Sequence, residues 1–313
     1  MNSEHTHLTP HTSRLTILIT GGNGQVGFEL RRQLATLGDI LAPNRAALDL
    51  SNADAVDAFL AEHQPDLIVN AAAYTAVDNA ESDQAMATRL NAELPAQLAE
   101  YCHQRGSWLI HYSSDYVYSG EGTTPWQEGD ATGPCNAYGA TKLAGDEAVA
   151  NSGCQHLIFR TSWVYSAFGK SFLATMLRLG AERTALSIVS DQMGAPTPAR
   201  LIALVTQQAL ATLNNPKTAN DLESGVYHLA PRGETSWHGF ACEIFQVAKQ
   251  AGLPMTISPE GVTAIPTVDY PTPAARPLNS RLEVDKIEAA LGIQLPSWQS
   301  QLALTVEEIA SSR

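Results

Sequence analysis

Apolar and polar positions alternate in a regular rhythm over the first half of the chain. LTILIT (15–20) is an unbroken run of β-forming residues and reads as a buried strand. GQVGFELRRQLATLG (24–38) shows helical spacing, and this helix is expected to end at Gly38. DILAPN (39–44) is a short second strand, and SNADAVDAFLAEHQ (51–64) is a helix with Ser51 as its capping residue. PDLIVNAAA (65–73) is a further strand. DQAMATRLNAELPAQLAEYCHQRG (83–106) reads as one long helix bent near Pro95. SWLIHYSSD (107–115) is a strand, AYGATKLAGDEAVANSG (137–153) a helix, and HLIFRTSWVY (156–165) a strand again. This βαβα order predicts an α/β fold: a Rossmann-type, doubly wound parallel sheet with helices on both faces.

After about residue 170 the rhythm gives way to irregular stretches rich in proline: DQMGAPTPA (191–199), AIPTVDYPTPAARPLNS (264–280) and QLPSW (294–298). Such loops, set on a regular scaffold, are where binding sites tend to lie. The helix ARLIALVTQQALAT (199–212) and the strand GVYHLA (225–230) are expected to return to the first domain. The expected organisation is a disordered tail (1–14), an NAD(P)-binding domain (15–170, with 198–230 returning to it), and a smaller, interleaved C-terminal substrate lobe (171–197 and 231–313).

Composition narrows the function classes. The 313 residues carry a net charge of −13, which argues against nucleic acid or an anionic membrane as partner. Cys102, Cys135, Cys154 and Cys242 form no C-x-x-C pair, so neither a zinc site nor a disulfide framework is expected, and a cytoplasmic setting fits. The start, MNSEHTHLTPHTSR, lacks the apolar segment of a secretory signal, and His5, His7 and His11 read as tail residues, not as a metal tract.

The chemistry begins where the first strand stops, in TGGNGQVG. Gly22, Gly24 and Gly27 fit G-x-G-x-x-G, while Gly21, Gly24 and Gly27 fit G-x-x-G-x-x-G; both registers stay open. Bare backbone here, with Gln25 and Val26 opening the helix, allows amide N–H groups to approach a pyrophosphate. Beyond the second strand, Arg45 stands where a 2′-phosphate would lie. Asp49 comes later and, with Leu50, suits the adenine side. NADPH is therefore expected, with NADH left open.

Tyr138 and Lys142 in YGATK are four residues apart, on one face of a helix. A neighbouring ammonium would lower the phenol's pKa and make it an acid/base able to protonate an oxygen as hydride reaches its carbon. Ser114, at the C-terminal edge of the preceding strand, is the candidate for a hydrogen bond to a substrate carbonyl, with Ser113 as competitor.

TGGNGQVG, SSDYVY and YGATK resemble the extended short-chain dehydrogenase/reductase superfamily. Longer strings, VNAAAYTAVDNAE, HYSSDYVYSG, FRTSWVY, DQMGAPT and RPLNSRL, resemble one family within it, the dTDP-4-dehydrorhamnose reductases. The resemblance runs from about Leu15 to the last helix. It implies that Ser114, Tyr138 and Lys142 are the catalytic trio, with Lys142 also holding the nicotinamide ribose. Asn70 and the small Ala71, Ala72 and Ala73 would line the cofactor cleft. Asp115, Tyr116 and Trp163 would flank the sugar, Gln192, Pro196 and Thr197 the nucleotide half, and Arg276 the pyrophosphate. Ser114 stands where many relatives carry threonine, and Asn79 replaces an expected lysine. Magnesium is associated with a subunit contact in some members. No carboxylate cluster of that character is legible here, so no metal site is assigned, and a homodimer is left open.

The implied reaction is NADPH-dependent reduction of the C4 ketone of dTDP-4-dehydro-L-rhamnose to dTDP-L-rhamnose. Dehydratases of the superfamily place a glutamate after the aspartate, and here Tyr116 follows Asp115, so dehydration loses a proton carrier. Two alternatives stay open: a sugar-nucleotide epimerase, and an NADP-binding regulatory subunit resembling that of methionine adenosyltransferase.

Overall fold

The computed structural model describes residues 14–215, 218 and 222–312. The tail, Arg14 apart, and its three histidines lie outside the described residues. Five strands, β1 (Leu15–Thr20), β2 (Gly38–Leu41), β3 (Leu67–Asn70), β4 (Trp108–Ser114) and β5 (Gln155–Thr161), are joined by Gly225–His228 in one sheet. The order is Gly225–His228, β5, β4, β3, β1, β2, and every pairing is parallel. The chain steps from β1 outward to β2, then returns to place β3 on the other side of β1. The strand order therefore reverses between β1 and β3, where a crevice opens at the carboxyl ends.

The strands read as continuous apolar runs because both faces are covered. Ile17, Ile19, Val69 and Ile110 point into one core with the helices Gln25–Gln33 and Ala199–Leu213. Their neighbours Leu18, Ile68, Leu109 and Ile158 point into the opposite core with the helices Ala53–His63 and Leu94–Arg105. This is the two-residue alternation of a pleated strand applied to both faces. A third core, with Leu173, Ile188, Phe240, Ile244, Trp298 and Leu302, joins the helices Phe172–Glu182, Trp237–Gln250 and Trp298–Ser311. Beside it, Met193–Gly194 pairs with both Thr235–Ser236 and Asn279–Ser280 in a small sheet, which brings the strings DQMGAPT and RPLNSRL together.

Four local expectations are corrected. The first helix stops at Gln33, and a 3₁₀ turn (Leu34–Thr36) frees Gly38 to pair with Leu15 as the start of β2. The cap of the second helix is Asn52, whose side chain accepts from Ala55 N at 3.1 Å, while the Ser51 hydroxyl donates to Asp49 at 2.7 Å. The long helix is interrupted by a π-helical stretch, Arg89–Glu93, between Gln84–Thr88 and Leu94–Arg105. Pro95 is not the break: it sits in the first turn of the second segment, where a missing N–H costs little. HLIFRTSWVY is two strands, because Trp163 takes φ 47° and turns the chain so that Val164–Tyr165 pairs with Thr197–Pro198 instead.

Candidate active site

A cleft of about 1160 Å³ opens at the carboxyl ends of β1, β3, β4 and β5. Its first wall is largely main chain. Gly21, at φ 66°, turns sharply out of β1 and receives the Gly24 N–H on its carbonyl at 2.8 Å. A Cβ on Gly27 would lie 2.2 Å from that same carbonyl oxygen, so only glycine lets the helix Gln25–Gln33 approach this closely. The helix has no acidic residue in its first turn, which leaves its free N–H groups available to an anion. Gly21, Gly24, Gln25, Val26 and Ala71–Ala73 all line the cleft, whereas Gly27 packs behind it.

Arg45, Asp49 and Leu50 line the cleft beyond β2. The Asn44 carboxamide fixes the turn before them, accepting from Ala46 N and Ala47 N at 3.0 Å each. The Asp49 carboxylate accepts the Ser51 N–H and hydroxyl, so it is occupied with its own loop.

The opposite wall is built from side chains. Asn136 caps the helix Ala137–Asn151 by accepting from Gly139 N at 2.8 Å, and Tyr138 stands in the first turn. Ser114 ends β4; its hydroxyl donates to Asp115 Oδ1 at 3.0 Å and accepts from Tyr116 N at 3.1 Å. Tyr116 meets Tyr138 edge to face, with ring centroids 5.6 Å apart. Burial pushes the Tyr138 phenol up to about 12, with the neighbouring Ser114 hydroxyl opposing. Burial also raises the Asp115 carboxyl to about 7.

Lys142 departs from the expected pairing. Its Nζ donates to the Tyr112 carbonyl at 2.6 Å and lies 3.3 Å from His111 Nε2, with a relative exposure of only 1%. The groups acting on the Tyr138 phenol are its burial, Ser114, Asp115 and Asp146. The expectation that Lys142 lowers the Tyr138 pKa is thus corrected: the spacing gives a shared helix face, but the long lysine stem carries its charge down towards β4. Lys142 itself is pulled down to about 8 by burial, with Asp146 opposing.

Trp163 and Trp237 stack with centroids 3.7 Å apart, and both line the cleft. Trp237 Nε1 donates to Gln192 Oε1 at 3.0 Å, and Gln192 Nε2 donates to Thr267 Oγ1 at 3.1 Å, so Gln192 stands behind the aromatic pair, outside the cleft wall. Pro196 and Thr197 are buried, with the Thr197 hydroxyl donating to Ala195 O. Arg276 is held by Asp78 at 2.8 Å and likewise lies outside the wall. Asn79 is exposed on the short helix Val77–Ala80. Ser113, the competitor of Ser114, also reaches the cleft.

Two positions escaped the sequence reading. Asn91, in the π-helical stretch, accepts from Tyr74 N at 2.8 Å and donates to Tyr74 O and Thr141 Oγ1, fastening the loop after β3 to the helix of Tyr138. A helical pattern gives no sign that one residue has been turned inward by a bulge. Trp237 was invisible because its stacking partner lies 74 residues earlier. Among the described residues no group of three or more His, Cys, Asp and Glu is placed to hold a metal, and no helix is long and apolar enough to cross a membrane.

A doubly wound parallel sheet, a glycine turn at its switch point and a Tyr-x-x-x-Lys helix behind β4 define an NAD(P)-dependent oxidoreductase of the extended short-chain dehydrogenase/reductase type. Residues 15–311 match the family described as the RmlD substrate binding domain. The chain is 45% identical over 300 residues to the dTDP-4-dehydrorhamnose reductase of Shigella flexneri, covering 94% of this chain and 98% of that one. It is 46% identical to the reductase of that name from Burkholderia thailandensis, over 95% of this chain and 100% of the relative. A solved dTDP-4-dehydrorhamnose reductase from Bacillus anthracis, in complex with NADP, is similar at a TM-score of 0.85 and 32% identity, covering 94% of this chain and 99% of that one. The chain belongs to the dTDP-4-dehydrorhamnose reductase family.

Proposed function

We propose that the protein reduces the C4 ketone of dTDP-4-dehydro-L-rhamnose with NADPH, giving dTDP-L-rhamnose. One observation carries the reading: Ser114, Tyr138 and Lys142 converge on one wall of a single cleft whose other wall is the glycine turn. The residues present fit the dinucleotide. A Cβ on Gly24 would come within 3.2 Å of the Gly21 carbonyl, a tight approach that favours bare main chain where a pyrophosphate needs it. Ala71–Ala73 leave room along the cleft, and Arg45 at its rim suits a 2′-phosphate. The Bacillus anthracis relative is an NADP complex.

NADPH, when bound, supplies a hydride to the ketone carbon. The chain's own work is done on the oxygen. Ser114 donates a hydrogen bond to it and steadies the negative charge as it grows. Tyr138 then gives up its proton there. A phenol with its pKa near 12 is fully protonated at neutral pH, which is the form an acid needs. Lys142 adds positive charge at the floor of the cleft and can donate to a ribose hydroxyl. The stacked Trp163 and Trp237 would exclude water beside the sugar. Segments 171–197 and 231–313 would form the substrate lobe, with Gln192, Pro196 and Thr197 supporting the nucleotide half from behind. Arg276 would reach the pyrophosphate by exchanging Asp78 for it. Four free cysteines suit a reducing cytoplasm.

The test is to mix protein, NADPH and the keto-sugar nucleotide and follow NADPH absorbance. Steady loss of absorbance, with one C4 alcohol formed per NADPH oxidised, is expected. A flat trace beside tight NADP binding would overturn the reading in favour of a binding role.

A further inference from the structure

Beneath Lys142 lies a group of buried charges that the mechanism above does not use. Asp146, one helical turn beyond Lys142, is on the same face of the helix. Its Oδ2 accepts from Arg160 Nε at 3.0 Å, and the two side chains are only 3% and 6% exposed. Asp146 Oδ1 also lies 3.9 Å from His111 Nε2, the nitrogen that Lys142 Nζ approaches. Arg160 is anchored from the far side by its bond to the Tyr118 hydroxyl at 2.9 Å, which in turn lies 2.7 Å from His228 Nε2. A buried ammonium with only a carbonyl and a ring nitrogen as polar partners is costly to keep charged.

We propose that Asp146 is a positioning residue for the reaction, and that the Asp146–Arg160 pair holds Lys142 charged and turned into β4 until ligands enter the cleft. This rests on the reading of Lys142 as part of the catalytic wall. Burial pushes the Asp146 carboxyl up, and Arg160 first and Lys142 second oppose this, so the two cations share the carboxylate's charge. The charge balance is therefore a setting and not a saturated ion pair. The groups facing Lys142 are few. His111 on β4 is kept neutral by burial first and by the Lys142 charge second. His156 on β5 acts on His111. Asp115 in the turn after β4 acts on Tyr138. The interrupted helix packed alongside presents the uncharged Asn91, while its Arg89 and Glu93 face each other at 4.0 Å with Glu93 exposed. Burial and Asp146 together leave Lys142 near 8, inside the working pH range.

The experiment reads Lys142 directly, by NMR titration of the full chain with ¹³Cε-labelled lysine, its signal assigned by loss in Lys142→Met. The wild type should titrate near 8, well below the ordinary lysine value of 10.5. Asp146→Asn should move that midpoint down by about one pH unit or more, and Arg160→Gln should move it up, because Asp146 then faces Lys142 alone. The alkaline limb of kcat/KM should shift in the same two directions, with thermal melts confirming that each variant is folded. A merely structural pair would lower stability without opposite shifts. Midpoints unmoved in both variants would overturn the proposal. Should neither variant fold, the conservative Asp146→Glu decides: a Lys142 midpoint that moves with the displaced carboxylate would support the proposal, and one that stays at the wild-type value would overturn it. If the midpoints shift but no ketone is reduced, the charge coupling stands and the reading of the function falls. If they shift while the kcat/KM limb stays put, the positioning role in the reaction is overturned.

Discussion

At the glycine end of the cleft, the turn 21–27 presents largely main chain, and its shape is fixed by close approach: Gly27 against the Gly21 carbonyl, Gly21 against the amide of Ala72. At the catalytic end, Tyr138, Ser114, Asp115 and Lys142 are side chains set in a buried polar layer, and what is fixed there is protonation. Burial is the first cause of the shift in Tyr138, Asp115 and Lys142 alike. One end is thus set by geometry, with no room for a side chain at Gly21 or Gly27. The other sets protonation by desolvation, which favours the neutral form of each group, raising Tyr138 and Asp115 and lowering Lys142, and it should tolerate isosteric change at the cost of chemistry.

Substitutions separate the two ends. The largest effect is expected at the catalytic end. Tyr138→Phe should cut kcat by about 10²–10⁴-fold, the range for removing a general acid, while the NADPH Kd measured by fluorescence titration stays near that of the wild type. At the glycine end the pattern reverses. Gly27→Val forces a side chain onto the Gly21 carbonyl, so NADPH binding should be lost together with about 1–3 kcal/mol of stability in urea unfolding. A Gly27→Val variant that bound NADPH normally would break the contrast.

Asp115 sharpens it. Its folded pKa, about 7, is raised above the ordinary 3.8, so the folded state holds the extra proton between those values. Stability is then undiminished below about pH 4, falls as pH rises through the window, and carries the full cost of burying the carboxylate above 7. Asp115→Asn, with no charge to bury, should be more stable than wild type at pH 8, by up to about 4 kcal/mol, and the advantage should vanish at pH 4. Urea midpoints at the two pH values check this. The smallest effect is expected at the exposed rim: Arg45→Ala should reduce the preference for NADPH over NADH by about tenfold, ~1.5 kcal/mol, read as the ratio of the two kcat/KM values.

The same contrast explains what could be read in the chain. The glycine turn was legible because its cause is local: a strand, missing side chains and a helix follow one another within residues 15–33. The sheet was legible for a similar reason, since runs such as LTILIT record burial on both faces. At the other end the fold brings the expected Ser114, Tyr138 and Lys142 to one cleft, but their electrostatics were not legible. The spacing of Tyr138 and Lys142 gives a common helix face, yet the direction of the lysine charge follows its contacts to His111 and Tyr112 on β4. Asn52 outcompeted Ser51 as a cap only because Asp49 engages the serine hydroxyl, a contact that capping preference does not encode. Trp237 reaches Trp163 through the packing of the third core, which leaves no pattern in sequence.

Hydride transfer to the sugar, with the chain supplying the proton, is tested most directly by isotope. The protein is incubated with dTDP-4-dehydro-L-rhamnose and NADPH deuterated at both C4 positions of its nicotinamide, and the product is examined by NMR. One deuterium bound to C4 of dTDP-L-rhamnose for each NADPH oxidised is the expected result. Product bearing ordinary hydrogen at that carbon, or no product while NADPH remains unoxidised, would contradict it.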